Sequence, residues 1–309
     1  METVAVVGAG LVGRAWAIVF ARAGFSVAMW DQQPAAVEAA RGFIAERLPE
    51  LFEVGLLRDD PAVVLARIAS RPTLAAALEG AAYVQESSPE RVEVKRVLFA
   101  EMDEIAAPST ILASSTSGIP ASAFTEGLRG RARCLVAHPI NPPYLVPVVE
   151  LCPAPWTDPE VMARARDLMQ RAGQVPATLK REVAGFVVNR VQFALLAEAF
   201  RLVAEGVISA EDVDATIKHG LGLRWSFMGP LETIDLNAPG GLADYCARYG
   251  GLYAQLQREF APCELTPALV GGLDDERRKV LPMADHAARQ EWRDRRLMGL
   301  VAHKSKQPQ

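Results

Sequence analysis

The sequence predicts an α/β domain followed by an all-α domain, and three observations lead to that fold class. The first half of the 309-residue chain alternates short β-branched runs with helical stretches, an order typical of a parallel sheet covered by helices. From Gly185 onward, apolar residues recur at helical spacing and few strand candidates remain. This change of character falls near residues 184–190 and predicts domains at 1–186 and 187–309.

The predicted elements follow in chain order. The strand candidates are Thr3–Val7, Ser26–Trp30, Ala82–Gln85, Thr110–Ala113, Cys134–Ala137 and Val146–Leu151. The predicted helices are Arg14–Ala23, Asp158–Arg171 and Phe186–Glu205, with a helical insertion expected at Ala35–Ala69. Ser209, with Asp212 three residues on, predicts a capping box that opens the next helix.

Composition and charge argue against several classes of protein. Half of the residues are apolar, the net charge is only -4, and no long block of like charge suggests a nucleic-acid surface or a polybasic membrane patch. No apolar run approaches the ~20 residues of a membrane-spanning helix, and the N-terminus lacks a signal-peptide pattern. The four cysteines are scattered, with no CxxC pair. We therefore expect a cytoplasmic protein with reduced thiols, no metal, and no nucleic-acid or membrane partner.

The glycine-rich run GAGLVG at residues 8–13 predicts a Rossmann-type dinucleotide site, because it follows a strand and opens a helix. Gly8 allows the tight turn and Gly10 lets the backbone approach a pyrophosphate. Gly13 lets the helix pack close to the strand. The helix N-terminus at Leu11 and Val12 then offers free N–H groups and a partial positive charge to the phosphates.

Asp31 ends the second predicted strand, 18 residues after Gly13. A carboxylate there can accept both ribose hydroxyls of the adenosine and would repel a 2′-phosphate, so NAD is favoured over NADP. FAD uses the same fingerprint and is the alternative cofactor. A glycine-rich turn that binds nothing is the plain structural alternative.

His138 is one of only four histidines, and it ends a predicted strand just before Pro139-Ile140-Asn141-Pro142-Pro143. In open α/β sheets, ligands bind beyond the C-terminal ends of the strands. Twelve residues later, Glu150 lies in an apolar strand-like run and needs a partner, which an imidazole would supply as a general-base pair. A core histidine bonded to a carbonyl fits the residues equally well.

Two further polar features are ambiguous on their own. Small hydroxyl residues, Ser114-Ser115-Thr116-Ser117, follow another strand-like run. They could bind a polar group of a substrate, although capping the next helix is the favoured interpretation. Asn189 lies in a predicted helix, where asparagine is unfavourable, which suggests a specific hydrogen bond; an Asn that faces solvent is the common alternative.

Seven segments together carry a family resemblance. They are Val6–Gly13, Ser114–Ser117, His138–Pro143, Val148–Leu151, Glu182–Arg190, Gly222–Asn237 and residues 290–294. In these segments the chain resembles the 3-hydroxyacyl-CoA dehydrogenase superfamily, and more closely its lambda-crystallin and L-gulonate 3-dehydrogenase branch. The resemblance spans nearly the whole chain.

The resemblance implies NAD-dependent oxidation of the 3-hydroxyl of a small hydroxy acid. By this resemblance, His138 is the general base that takes the hydroxyl proton, and Glu150 holds and polarises it. Ser117 and Asn189 hydrogen-bond the reacting oxygen, so Ser117, His138 and Asn189 also contact the substrate. All four residue types are present, which disfavours a crystallin-like role without catalysis.

The resemblance also assigns cofactor contacts and an assembly. Glu90 and Lys95 match family positions near the nicotinamide ribose, Ser117 is also expected to contact the cofactor, and Asn141 matches a position beside cofactor and substrate. The family further implies homodimers formed through the helical C-terminal domain.

The substrate depends on the branch, and Arg224 is the residue that bears on it. Acyl-CoA enzymes are expected to carry a GYPMGPFEL-like run, where residues 222–232 here read GLRWSFMGPLE. A guanidinium is a bidentate donor for a carboxylate, so Arg224 is expected to recognise a free acid such as L-gulonate. A surface or interdomain salt bridge is the alternative role. Two other substrates stay open: L-carnitine, whose ammonium Trp225 and Phe227 could cage, and short-chain 3-hydroxyacyl-CoA.

Overall fold

A computed structural model of the chain describes residues 1–307. It contains two compact units, one made of residues 1–190 together with the chain from Gln290 onward, and one made of Val191–Arg289. The predicted fold class, an α/β domain followed by an all-α domain, is confirmed. The segment from Gln290 onward, expected in the helical domain, belongs to the first unit. The domain limits 1–186 and 187–309 otherwise stay a prediction.

An eight-stranded sheet organises the first unit. The strands are β1 (Thr3–Val7), β2 (Ser26–Trp30), β3 (Ile68–Ser70), β4 (Ala81–Glu86), β5 (Ile111–Ser114), β6 (Cys134–Pro139), β7 (Val148–Pro153) and β8 (Val175–Thr178). Their order is β3-β2-β1-β4-β5-β6-β7-β8, and every neighbouring pair is parallel except β6 and β7. The chain order reverses between β1 and β4, which makes the carboxyl edge there the expected ligand crevice.

Within residues 1–307, the two units together contain fourteen α-helices. They are α1 (Leu11–Arg22), α2 (Pro34–Glu53), α3 (Pro61–Ala66), α4 (Leu74–Leu78), α5 (Val92–Ile105), α6 (Ser122–Thr125), α7 (Pro159–Arg171), α8 (Val188–Ala204), α9 (Ala210–Thr216), α10 (Gly222–Trp225), α11 (Pro230–Leu236), α12 (Gly241–Glu259), α13 (Pro267–Val280) and α14 (His286–Lys304). The helical insertion expected at Ala35–Ala69 consists of α2 and α3, and its end forms β3 instead.

The core of the first unit lies on both faces of the sheet. One apolar cluster joins the sheet to α1, α2 and α7, and it also takes in Met298 of α14. The other joins the opposite face to α4 and α5 and includes Phe186. Both faces of the parallel strands are therefore covered, as their nearly continuous apolar sequences require.

The second unit is helical and contains a single π-helical turn, Ile217–Leu221, between α9 and α10. Ser209 caps α9, because its Oγ accepts the N–H of Asp212 at 3.1 Å, and Asp212 Oδ2 accepts the Ser209 hydroxyl at 2.8 Å in place of the backbone N–H that a full capping box would use. Of residues 191–289, all of which the structure describes, only Thr233 and Ala238 are buried. Within residues 1–307, the helices are too short or too polar for any of them to cross a lipid bilayer.

Candidate active site

The glycine-rich loop lies between β1 and α1 and has the geometry of a phosphate cradle. A Cβ on Gly13 would stand 1.8 Å from the Gly8 carbonyl oxygen, so only glycine permits this loop to meet the helix. A Cβ on Gly10 would meet no protein atom within 4 Å, which means that the space beside the loop is open. No side chain caps α1, and Leu11 is 64% exposed. These residues fit the pyrophosphate of a dinucleotide.

Asp31 follows β2 directly and is bonded to the same loop. Its Oδ2 accepts the N–H of Ala9 at 2.8 Å, and its Oδ1 accepts the N–H of Gln33 at 2.8 Å. Each carboxylate oxygen has two lone pairs, so both can still accept a ribose hydroxyl. Asp31 thus holds the glycine loop through Ala9, a contact that the sequence did not indicate.

His138 and Glu150 form a pair across β6 and β7. The two residues are directly opposite in the antiparallel register, and His138 Nδ1 lies 2.9 Å from Glu150 Oε2. Glu150 is 1% exposed and His138 is 5% exposed. Glu150 can only accept when ionised, so Nδ1 carries the proton and Nε2 keeps its lone pair. The imidazole is therefore held in the tautomer that a general base needs.

The other oxygen of Glu150 is bound at the start of α8. Glu150 Oε1 accepts the N–H groups of Val187 at 2.7 Å and Val188 at 2.9 Å. Burial pushes the pKa of Glu150 up, but the hydrogen bonds from His138, Val188 and Val187 outweigh it and hold that pKa below its ordinary value. Phe186, at φ 49°, turns the chain into α8 and packs against the His138 ring with centroids 5.4 Å apart.

The four consecutive hydroxyl residues after β5 have different partners. Ser114 donates to Glu86 Oε2 at 2.5 Å, Ser115 accepts from Trp16 and Gln85, and Thr116 donates to Glu90 Oε1 at 2.6 Å. Of these four hydroxyls, that of Ser117 is the one without a hydrogen-bond partner among residues 1–307, and Ser117 is exposed. The hydroxyl that the family resemblance assigned to the reaction is thus the one that stays available.

Asn189 reaches the same loop. Its Nδ2 donates to the Ser117 carbonyl oxygen at 2.8 Å. Asn189 is the second residue of α8 rather than a helix-interior residue, which explains why an asparagine is tolerated there. The specific hydrogen bond expected from sequence is present, and it ties Asn189 to Ser117.

Glu90 and Lys95 lie beside this loop but differ in exposure. Glu90 Oε1 accepts the N–H groups of Ser117 and Gly118, both at 3.0 Å, while its side chain stays 46% exposed. Lys95 is 1% exposed, and its Nζ lies 3.0 Å from both carboxylate oxygens of Glu86 and 4.0 Å from Glu90 Oε2. Glu90 therefore faces solvent at the loop, whereas the ammonium of Lys95 is directed into the protein.

Asn141 and Arg224 complete the predicted set. Asn141 is exposed in the loop that follows His138, immediately before the cis peptide bond to Pro142. Arg224 is exposed in α10 of the second unit, and its guanidinium has no ion-pair or hydrogen-bond partner among residues 1–307. Within the same range, no group of three or more His, Cys, Asp or Glu side chains is placed to hold a metal ion.

Glu86 is the main site residue that sequence reasoning missed. It is the last residue of β4, fully buried, and it accepts from Lys95, Ser114 and the N–H of Ser88. The signal was available, because a carboxylate at the end of an apolar strand needs a partner for the same reason that Glu150 does.

Comparison with known proteins identifies the family. Residues 3–183 match the family model described as 3-hydroxyacyl-CoA dehydrogenase, NAD binding domain, and residues 185–278 match that of the C-terminal domain. The chain belongs to the 3-hydroxyacyl-CoA dehydrogenase family. This family member is an NAD-dependent dehydrogenase, which confirms the predicted enzyme class and selects NAD over the FAD alternative.

Individual relatives confirm the predicted branch. The lambda-crystallin homolog of Bos taurus is 45% identical over 99% of this chain and 97% of its own. The L-carnitine dehydrogenase of Nocardiopsis dassonvillei is 38% identical, covering 97% and 91%. Among solved structures, the NAD+-dependent dismutase FHMPC 5-dehydrogenase covers both chains fully, with a TM-score of 0.86 and 27% identity. (S)-3-Hydroxybutyryl-CoA dehydrogenase from Ralstonia eutropha has a TM-score of 0.68 and 30% identity, covering 85% and 90%.

Proposed function

We propose that this enzyme uses NAD to oxidise the 3-hydroxyl of a small hydroxy acid of the L-gulonate type to the 3-keto acid. The observation that carries the proposal is the buried pair of His138 and Glu150, whose hydrogen bond leaves Nε2 as the basic atom. Oxidation of a secondary alcohol needs a base for the hydroxyl proton and an acceptor for the hydride. Bound NAD supplies the hydride acceptor.

His138 takes the hydroxyl proton on Nε2, and the ring becomes an imidazolium. Glu150 stabilises that charge through its 2.9 Å hydrogen bond to Nδ1 without itself becoming protonated. The low pKa of Glu150 supports this role, because a carboxylate that stays ionised keeps both the tautomer and the counter-charge in place. Glu150 is a positioning residue, since it acts through His138.

Ser117 and Asn189 hydrogen-bond the reacting oxygen. The free hydroxyl of Ser117 supports this role. Asn189 Nδ2 holds the Ser117 carbonyl with one proton at 2.8 Å and has a second proton to offer. Two donors aimed at one oxygen would favour the carbonyl that develops during oxidation.

The cofactor is held by the glycine loop, Asp31, Glu90 and Asn141. Asp31 accepts ribose hydroxyls while it fixes the loop, and the exposed carboxylate of Glu90 is available to a second ribose. Lys95 is expected near the nicotinamide ribose from the resemblance, and it has a further role in positioning two carboxylates. Its ammonium is buried, so we assign it the positioning of Glu86 and Glu90.

Arg224 recognises the carboxylate of the substrate. Its support is that the guanidinium is exposed and unpaired within residues 1–307, so the salt bridge considered as an alternative has no partner there. The π-helical turn just before α10 adds support, because such turns are frequent at functional sites. An L-carnitine-like substrate is the second candidate, favoured by the exposed rings of Trp225 and Phe227 and by the relative named L-carnitine dehydrogenase.

The enzyme acts as a homodimer formed through the second unit. That unit buries only two of its residues, and its exposed large apolar side chains include Phe193, Leu252 and Tyr253. So much exposed apolar surface is typical of an interface rather than of a free monomer. Light scattering coupled to gel filtration is expected to give the mass of two chains, and a monomer mass at micromolar concentration would refute the assembly.

The substrate assignment is tested by following NADH formation with L-gulonate, L-3-hydroxybutyrate, L-carnitine and 3-hydroxybutyryl-CoA at equal concentrations. We expect the highest kcat/KM for a free acid. Arg224→Met should then raise KM for that acid with little change in kcat, because a ground-state contact is lost. Arg258→Met, an exposed arginine of α12, is the matched control and should leave KM unchanged. A preference for the thioester, or an unchanged KM in Arg224→Met, would remove the carboxylate role.

A further inference from the structure

A buried polar network lies under the carboxyl edge of the sheet, between α1 and the strands. Its centre is Ser115, the residue after β5. Ser115 Oγ receives hydrogen bonds from Trp16 Nε1 at 3.1 Å and from Gln85 Nε2 at 2.7 Å. Indole and amide nitrogens are donors only. Both lone pairs of the Ser115 oxygen are therefore in use.

The orientation of the Gln85 amide is fixed by its neighbours. Its Nε2 also lies 3.2 Å from the carbonyl oxygen of Ala137, which can only accept. Its Oε1 receives the hydroxyl of Tyr83 at 2.7 Å, and burial raises the pKa of Tyr83 well above its ordinary value, so that hydroxyl keeps its proton. The amide nitrogen of Gln85 must therefore point toward Ser115, and Ser115 Oγ accepts two hydrogen bonds, one from Gln85 and one from Trp16.

The direction of the last hydrogen bond in the network follows from that count. Ser115 Oγ lies 2.9 Å from Ser87 Oγ. Because Ser115 already accepts twice, its own proton must go to Ser87. Ser87 is then the acceptor in this pair, and within residues 1–307 its own hydroxyl proton has no acceptor. The hydroxyl of Ser87 is therefore the one donor of this network that lacks an acceptor within residues 1–307.

Ser87 lies beside the glycine loop. It follows β4 directly, and its N–H donates to the carbonyl of Val7 at 2.7 Å. A Cβ added to Gly8 would stand 2.7 Å from the Ser87 carbonyl oxygen, which shows how closely the two backbones pack. Ser87 itself is half-buried. The free donor therefore lies where the chain order of the sheet reverses, at the expected ligand crevice.

We propose that the Ser87 hydroxyl donates a hydrogen bond to an oxygen of the bound dinucleotide. Phosphate and ribose oxygens are both acceptors and share this chemistry. The inference rests on the binding of NAD, which family membership establishes, and is independent of the roles proposed for His138, Ser117 and Arg224.

Ser88 provides the matched control, because it is the next residue and carries the same hydroxyl. Its Oγ is shielded from solvent and has no hydrogen-bond partner within residues 1–307. A ligand cannot form a hydrogen bond with an oxygen atom that solvent does not reach. Removing a buried hydroxyl that lacks a partner is also expected to leave stability unchanged or slightly improved.

The experiment measures dissociation constants by titration calorimetry for Ser87→Ala, Ser88→Ala and the unmodified enzyme, with NAD, ADP-ribose and ADP as ligands. Ser87→Ala should weaken NAD binding about 2- to 10-fold, the usual effect of one lost hydrogen bond. Ser88→Ala should not change it. A loss shared by all three ligands supports the proposal with a phosphate acceptor. A loss restricted to NAD and ADP-ribose supports it with the distal ribose as acceptor.

Thermal unfolding without cofactor separates binding from packing. Ser87→Ala removes the acceptor of the Ser115 proton, so the unfolding temperature is expected to fall by only a few degrees, since Ser115 and Ser87 are both partly exposed. An unchanged dissociation constant for NAD would overturn the proposal. So would an equal loss in Ser88→Ala, or a loss of affinity accompanied by a fall of more than about 10 °C in the unfolding temperature of Ser87→Ala. Because the readout is binding, none of these results depends on whether His138 is the catalytic base.

Discussion

Two buried carboxylates at the carboxyl edge of the same sheet differ in what neutralises them. Glu150 accepts from His138 and from two backbone N–H groups, and Glu86 accepts from Lys95, Ser114 and one backbone N–H group. Both are almost fully buried. The ammonium of a lysine can only donate, whereas an imidazole that donates from one ring nitrogen keeps a second nitrogen that can accept a proton. Glu86 is therefore suited to fix structure, and Glu150 is suited to respond to a proton that moves.

The two pairs hold different parts of the crevice in place. The Glu86 pair lies at the end of β4 and, through Lys95, extends to Glu90 and the loop of Ser117. The Glu150 pair lies on β6 and β7 and extends to the start of α8. The first pair holds the loop that presents Ser117, and the second holds the base. We expect the largest losses of stability in variants of the first pair and the largest losses of rate in variants of the second.

The largest effect on stability is expected for Lys95→Met. The substitution leaves Glu86 buried and unpaired, which typically costs about 3–5 kcal/mol of unfolding free energy. Urea unfolding measures the loss. The double variant Glu86→Gln with Lys95→Met should recover most of it, because no buried charge is left, and Lys180→Met on the surface should show no loss. A single variant as stable as the unmodified enzyme would mean that the pair is not a structural one.

The largest effect on rate is expected for His138→Gln. Loss of a general base costs on the order of 100-fold or more in kcat, while the dissociation constant for NAD should stay the same. Steady-state kinetics and calorimetry give the two quantities. His303→Gln, an exposed histidine of α14, is the control and should change neither. Equal losses of NAD affinity and of rate would instead make His138 structural, like Lys95.

The same reasoning predicted one of these pairs and missed the other. His138 and Glu150 are each recognisable as strand residues in need of a partner, and this allowed their pairing to be predicted. The contact itself also requires that β6 and β7 be neighbouring and antiparallel, and the pattern of the sequence did not give that direction. Glu86 meets a lysine on the helix that follows β4, and no periodicity indicates which residue of a helix reaches back to a strand end.

Two strands and one loop could likewise not be predicted from local sequence patterns. β3 has three residues and β8 contains Pro176, so neither carries a usable strand pattern. For the run Ser114-Ser115-Thr116-Ser117, composition could not say which hydroxyl is free. That depends on Trp16, Gln85, Glu86 and Glu90, which come together only in the folded sheet. The fold class could be predicted because strand and helix periodicities are local.

Glu150→Gln is expected to change how the stability of the enzyme depends on pH. The folded-state pKa of Glu150 lies below its ordinary value of about 4.3, so its contribution to stability is fully present above that value and is lost as pH falls through the folded-state pKa. Near pH 7, Glu150→Gln should be less stable by about 1.5–3 kcal/mol, the range for hydrogen bonds to a charged group. In urea unfolding, that difference should shrink toward acid pH. Glu46→Gln, an exposed position of α2, should show no such change.

The smallest effect is expected at Asp31, a third carboxylate at this edge, which is half-exposed and bonded only to backbone N–H groups. Asp31→Ala should relax the preference for NAD over NADP by about tenfold, because the repulsion of a 2′-phosphate is removed. Dissociation constants for both dinucleotides give the ratio.

Asp31→Asn separates the two functions of this side chain. It removes the charge but keeps an oxygen that can accept the N–H of Ala9. The ratio of NAD to NADP affinity should therefore change in both variants, whereas total dinucleotide affinity should fall more in Asp31→Ala, where the glycine loop loses its anchor. An unchanged ratio in both variants would show that Asp31 serves the loop alone and does not contact the ribose.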